Sequence, residues 1–205
     1  MFITIEGIEG CGKSTNATFV IEYLNKLGIK AIHTREPGGT KIAEKIRTIF
    51  LEKNLDELIT NKTELLLMFA ARSQHLEHVI IPALQSGKYV VCERFTDASF
   101  AYQGGGRGID MQYISFLENF VQQDLSPDLV LLFNVDVDVA LNRIAKRGNI
   151  DRIEQEKADF FTRVREVYLQ RANKNSNKYY IIDANRDLNF VQQQITDVLL
   201  KTIKK

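Results

Sequence analysis

The chain has 205 residues, a formal net charge of +1 and 26% charged side chains, enough for one compact α/β domain with a substantial core but without the basic footprint of a nucleic-acid binder or an acidic tail. No apolar run approaches the ~20 residues a membrane helix needs, and the N-terminus lacks a cationic region followed by a cleavage site, so a soluble, cytoplasmic protein without a membrane partner is expected. The two cysteines, Cys11 and Cys92, are expected to be free thiols in that compartment.

In chain order, the apolar run Phe2–Glu6 reads as a strand, followed by Gly7-Ile8-Glu9-Gly10-Cys11-Gly12-Lys13-Ser14 and a helical pattern over Lys13–Leu27. A second strand, Lys30–Thr34, leads into Glu36-Pro37-Gly38-Gly39 and helices over Thr40–Glu52 and Glu64–Gln85. A third strand, Tyr89–Glu93, precedes the cluster Gly104-Gly105-Gly106-Arg107-Gly108, which holds four of the 12 glycines. Then come a helix over Met111–Gln123, a strand over Leu129–Val135, helices over Val137–Lys146 and Glu154–Ala172, a strand over Tyr179–Asp183, a helix over Asn189–Ile203 and a frayed Lys204-Lys205 tail. The strands are nearly continuous in apolar residues, as strands covered on both faces should be. Alternation with helices predicts a doubly wound, three-layer domain around a five-stranded parallel sheet, spanning residues 1–205 without a linker or repeat. Both glycine clusters then fall among the loops at the carboxyl ends of the strands, where such sheets bind ligands.

The spacing G-x-x-x-x-G-K-S between strand and helix is that of a phosphate-binding loop. Glycines let the backbone turn so that its N–H groups converge on phosphate oxygens, and the N-terminus of the following helix, at Ser14 and Thr15, adds its dipole. Lys13 is placed for the β and γ phosphates and the Ser14 hydroxyl for Mg²⁺. A chance glycine-rich turn would not need strand, loop and helix in this order. The loop alone leaves GTPases, motor-type ATPases, small-molecule kinases and nucleotide-binding regulators open. A GTPase needs an Asn/Thr-Lys-x-Asp element after a late strand, and Phe133-Asn134-Val135-Asp136 lacks the lysine. The cations Arg143, Lys146, Arg147 and Arg152 suit phosphoryl transfer, because negative charge spreads over the γ-phosphoryl oxygens as it moves; basic residues completing a helix C-terminus are the alternative. His75 and His78 lie three apart, but no other His or Cys pair is spaced to complete a metal site, and an exposed helix face is expected for them.

Gly7–Ser14, Thr34-Arg-Glu-Pro-Gly-Gly39, Ala70-Ala-Arg72, Arg94-Phe95, Ala101-Tyr-Gln-Gly-Gly-Gly-Arg-Gly108 and Asp151-Arg-Ile-Glu-Gln155 together resemble the bacterial thymidylate kinases, in order, through about three quarters of the chain. The resemblance implies a P-loop nucleoside-monophosphate-kinase fold with a short lid at about 143–155. It also implies ATP and Mg²⁺, γ-phosphoryl transfer to dTMP giving dTDP for dTTP biosynthesis, and a homodimer.

That family carries its catalytic arginine in the phosphate loop or in the lid. The variable loop positions here, Ile8, Glu9, Gly10 and Cys11, hold no base, which matches the lid-arginine subtype of the enterobacterial enzymes. Arg147 is the matching position and Arg152 a second candidate; Lys13 and Glu9 complete the catalytic set, and Arg143 is expected against adenine. For the acceptor, the resemblance implies Arg47 and Arg94 on the phosphate, Arg72 on thymine O4, Ser99 and Gln103 on the other base edges, Tyr102 under the sugar, and Glu36, Phe69 and Glu93 close by. Two positions depart from the family: Met68 stands where a Phe usually stacks on thymine, and Glu93 where Asp is usual. Two rival readings are a deoxynucleoside kinase, which needs a general base but no second phosphate clamp, and a nucleotide-sensing module, which has no use for lid arginines.

Overall fold

The structure, a computed structural model, describes residues 1–53, 56–148 and 150–203. The apolar runs form five strands, β1 (Phe2–Glu6), β2 (Ala31–Arg35), β3 (Tyr89–Glu93), β4 (Leu129–Asn134) and β5 (Tyr179–Asp183). All pair in parallel, in the order β2-β3-β1-β4-β5. Burial follows that order. Every residue of β1 is buried, whereas the edge strands β2 and β5 are partly exposed, so full coverage of both faces holds only for the centre.

Around the sheet run α1 (Lys13–Lys26), α2 (Lys41–Leu51), α3 (Asn61–His75), α4 (Ile81–Gln85), α5 (Thr96–Ser99), α6 (Met111–Gln122), α7 (Val137–Arg147), α8 (Ala158–Lys174) and α9 (Leu188–Thr202). Thr40, Thr60, Asp110 and Asp187 start their helices by accepting a bond from a first-turn N–H, satisfying an otherwise orphaned donor. The main core joins β1, β4, α1, α8 and α9 through Ile5, Val20, Leu131, Val164 and Ile195. Because every strand points the same way, the phosphate loop, Glu36–Gly39 and Arg94 all emerge on one rim.

Three expectations need correction. The predicted helix over Glu64–Gln85 begins earlier, at Asn61, and passes through a π-helical stretch, Leu76–Ile80, before α4. The helix predicted from Glu154 starts only at Ala158, because Asp151 Oδ1 accepts from the N–H groups of Ile153 and Glu154 and holds that segment in turns. The third concerns Gly104–Gly106, which are not a loop: they close a helical segment formed by α5 and the π-helical Phe100–Gly106. A Cβ at Gly105 would lie 2.6 Å from Val167 and one at Gly106 2.4 Å from the Phe160 ring, so these glycines allow α8 to pack close. Lys204 and Lys205 lie outside the described residues.

Candidate active site

The phosphate loop is fixed by its backbone. Gly7, Gly10 and Gly12 have φ of 138°, 71° and 91°, and a Cβ at Gly10 would meet the Ala140 carbonyl oxygen at 2.4 Å. Lys13 curls back so that Nζ donates to Ile8 O at 2.7 Å and Gly7 O at 3.0 Å. At the start of α1, Ser14 Oγ donates to Glu93 Oε2 at 2.6 Å, and the other Glu93 oxygen lies 2.8 Å from His33 Nε2. Burial alone would raise the Glu93 carboxyl, but hydrogen bonds from His33 and Ser14 outweigh it and hold it below the usual range.

Beyond β3 the chain turns sharply at Arg94, a non-glycine residue at φ 65°. Strain of this kind persists only where the surroundings over-determine it. They do so here. The Arg94 backbone N–H donates to Ile5 O at 3.0 Å, and the next N–H, of Phe95, donates to Glu6 Oε1 at 2.6 Å. The Arg94 guanidinium donates to Gly7 O at 2.9 Å and Glu9 Oε1 at 2.6 Å and lies 4.8 Å from the centre of the Tyr102 ring. The Tyr102 hydroxyl donates to Glu9 Oε2. Arg47 donates to Pro37 O at 3.0 Å; burial and the like charge of Arg35 lower its pKa.

Behind this wall, Arg72 is fully buried, donating to Glu36 Oε2 at 2.7 Å, Ser99 Oγ at 3.1 Å and Phe95 O at 3.0 Å, with its guanidinium 4.6 Å from the Phe69 ring centre. His75 is also fully buried, correcting the expected exposed face: Nδ1 lies 3.1 Å from Glu36 and Nε2 2.6 Å from Thr34 Oγ1. No group of three or more metal-ligating side chains occurs among the described residues.

The two lid arginines expected to act in catalysis, Arg147 and Arg152, are held differently. Arg147, half-exposed, donates to Glu154 Oε2 at 2.6 Å. Arg152 reaches the buried Glu64 at 2.8 Å and Phe50 O at 2.9 Å. Arg143 donates to Ala184 O at 3.0 Å.

A single cavity of about 870 Å³ gathers most of the expected residues: Glu9, Lys13 and Ser14 from the phosphate loop, Arg47, Glu93 and Arg94, then Met68, Tyr102 and Gln103, with Arg143 and Arg147 at the lid. Gly7, Ile8, Cys11, Phe69, Arg72, Ser99 and Arg152 are absent from its lining. Arg72, Phe69 and Ser99 instead form its second layer. Sequence reasoning missed Glu6, which holds the Phe95 N–H, and Glu64, which gathers Gln103, Arg107 and Arg152. Glu6 lay in plain sight as a lone acid ending an apolar strand. Glu64 looked like an ordinary first-turn acid complementing a helix dipole.

A phosphate loop, a strained arginine at the end of the third strand and a lid facing one cleft narrow the choice among nucleotide-binding folds, and comparison with known proteins completes it. The family model described as thymidylate kinase matches residues 5–195. The thymidylate kinases of Pseudomonas putida (strain W619) and Ectopseudomonas mendocina (strain ymp) are each 52% identical over 203 residues, covering 99% of this chain and 97% and 96% of theirs. The crystal structure of thymidylate kinase from Ehrlichia chaffeensis superposes with a TM-score of 0.79 at 34% identity, covering 98% of both chains. With its fold and most of its length so matched, the chain belongs to the thymidylate kinase family.

Proposed function

We propose that this chain transfers the γ-phosphoryl group of ATP to dTMP, giving dTDP and ADP, as one kinase domain acting in the cytoplasm. The observation that carries this reading is the pairing, in one cavity, of a phosphate loop with the two arginines Arg47 and Arg94. Guanidinium forks suit an acceptor that already bears a phosphate. Its anionic oxygen attacks the γ phosphorus in line, the bond to the β–γ bridging oxygen breaks, and no general base is needed. A neutral thymidine hydroxyl would need a base and would have no use for the clamp. Lys13 holds the donor phosphates, Arg147 meets charge that develops between donor and acceptor, and Arg72 supports the base end of the cleft from behind, through Ser99 and the Phe95 carbonyl. Ser14 and Glu93 form an all-oxygen pair that suits Mg²⁺; Ser14 would hold the ion, whose chemistry is to neutralise phosphate charge. ADP release with dTMP, with thymidine and with no acceptor tests the reading. Release only with dTMP is expected, and release favoured by thymidine would overturn it.

The expected homodimer is supported by α6, which packs on α3 and leaves Tyr113, Phe116 and Phe120 exposed, the two Phe rings stacked 6.5 Å apart. Sedimentation of Phe120→Asp should give a monomer. A wild-type monomer at micromolar concentration would remove the proposal.

A further inference from the structure

Gln103 lines the cleft, yet only half of its amide is satisfied. Nε2 donates to Glu64 Oε1 at 2.9 Å, while Oε1 is buried with no partner among the described residues. Glu64 is itself buried, and also accepts from Arg107 Nε at 3.1 Å and Arg152 Nη2 at 2.8 Å. Burial works to raise its carboxyl, but the Arg107 and Gln103 hydrogen bonds and the charges of Arg107 and Arg152 prevail and hold it below the usual range. It is therefore a carboxylate with no proton to give. An ionised carboxylate only accepts, whereas a primary amide donates at one end and accepts at the other. Turning Gln103 over would set two acceptors against each other in a buried place.

We propose that Glu64 is a specificity-determining positioning residue: by claiming the Gln103 NH₂ group, it obliges the amide to offer an oxygen acceptor to the acceptor base. Such an oxygen selects a base whose ring nitrogen carries hydrogen and rejects one whose ring nitrogen is itself an acceptor. The inference rests on the dTMP reading, in which thymine N3–H completes the pair; the bare N3 of cytosine would oppose the oxygen. The pocket thus rejects cytosine through fixed repulsion as well as selecting thymine by attraction.

The test is the ratio of kcat/KM for dTMP over dCMP, with dissociation constants of both nucleotides measured calorimetrically without ATP. A buried hydrogen-bonding site can discriminate by up to ~10⁴–10⁵, so a wild-type ratio of at least ~10³ is expected. Glu64→Gln offers its own amide N–H to Gln103 and permits the flip; the ratio should fall at least ~10-fold, chiefly through weaker dTMP binding. Glu64→Asp remains acceptor-only and should keep the ratio. Glu64 also secures Arg107 and Arg152, but losing those contacts lowers turnover on both nucleotides and leaves the ratio alone. A folded Glu64→Gln with the wild-type ratio overturns the inference. Should that variant not fold, Gln103→Leu decides: its ratio should fall likewise, and an unchanged ratio overturns the inference equally. Wild-type protein inactive on dTMP would instead sink the functional reading beneath it.

Discussion

The phosphate loop and the lid both present cations to the same cleft, but they are built by different means. In the loop, position is set by backbone: three glycines with positive φ, Cβ positions at Gly7 and Gly10 already occupied by the main chain of β4 and α7, and a lysine tethered to its own loop carbonyls. In the lid, position is set by carboxylates. Arg147 is 57% exposed and pairs with Glu154, whose side chain is 4% exposed, so the guanidinium faces solvent and the cleft while its partner is held in the fold. Arg152 is 19% exposed, and its partner Glu64 is 1% exposed with two further donors. The loop is preorganised, Arg147 is the more exposed of the two and lines the cleft, and Arg152 is anchored away from it. This contrast favours Arg147 as the group that closes over the transferring phosphoryl.

The sharpest way to break the contrast is at the loop. Lys13→Ala should lower the turnover number by about a thousandfold while leaving the thermal transition in place, since removing one preorganised charge contact typically costs ~10²–10³ and Lys13 contacts two phosphates. Gly10→Ala should match that loss of turnover and also lower the thermal transition, because the added methyl collides with the Ala140 backbone. Steady-state kinetics and a melting curve on each variant decide, and turnover within a few-fold of wild type would remove the loop from catalysis.

Next in size is the lid. Arg147→Ala should cost roughly a hundredfold in turnover with little change in KM for dTMP, as expected of a contact made only in the transition state. Varying ATP and dTMP separately gives the measurement. If turnover holds and only ATP affinity falls, Arg147 is a ground-state contact and the catalytic role passes to Arg152.

The same contrast explains what could be read in advance. A loop built from local backbone needs its residues at fixed spacing, so Gly7–Ser14 was legible, as were the strands, whose apolar runs are short and uninterrupted. The second layer was not. Glu64 meets Arg152 across 88 positions and Glu6 meets Tyr168 across 162, and no spacing rule reaches so far. The Gly104–Gly106 cluster misled for the opposite reason. Its composition signals a turn, while its use is close packing against α8, which only tertiary structure reveals. Arg72 was expected at the acceptor end and lies in the layer behind the cleft, because periodicity could not tell the layer that lines a cleft from the layer that supports it.

Glu6 ends β1 directly before the phosphate loop, accepting from the Phe95 N–H and the Tyr168 hydroxyl. Burial, with a smaller contribution from the charge of Asp97, raises its carboxyl from 4.5 to about 8. The folded state therefore holds a proton that the unfolded state releases near pH 4.5. The associated stability is complete below that pH and is lost as pH rises through 8. Between pH 6 and 8 the loss should be about 2 kcal/mol. Urea unfolding of wild type and Glu6→Gln across this range isolates the effect, because other groups cancel in the difference. The variant should gain on the wild type as pH rises, and parallel curves would show that Glu6 does not titrate there.

The smallest expected effect tests the lid backbone. Gly148 follows Arg147 at the end of α7 with φ 67° and ψ −169°, a region that only glycine occupies without strain. Unlike Gly10, it has no atom within 4 Å of a built Cβ. Gly148→Ala therefore adds backbone strain without a collision, and the open space around it lets the backbone relax to relieve part of that strain. Strain at such a site costs ~1–3 kcal/mol when fully retained, so a loss near the lower end is expected. For a chain of this size, that is a fall of ~2–4 °C in Tm. Turnover should drop only a few-fold, because Arg147 remains and only its approach is altered. The comparison is with Gly10→Ala, the same substitution in the loop. Equal damage at both positions would mean that the lid is as firmly set as the loop, and that Arg147 is held in place before substrate arrives.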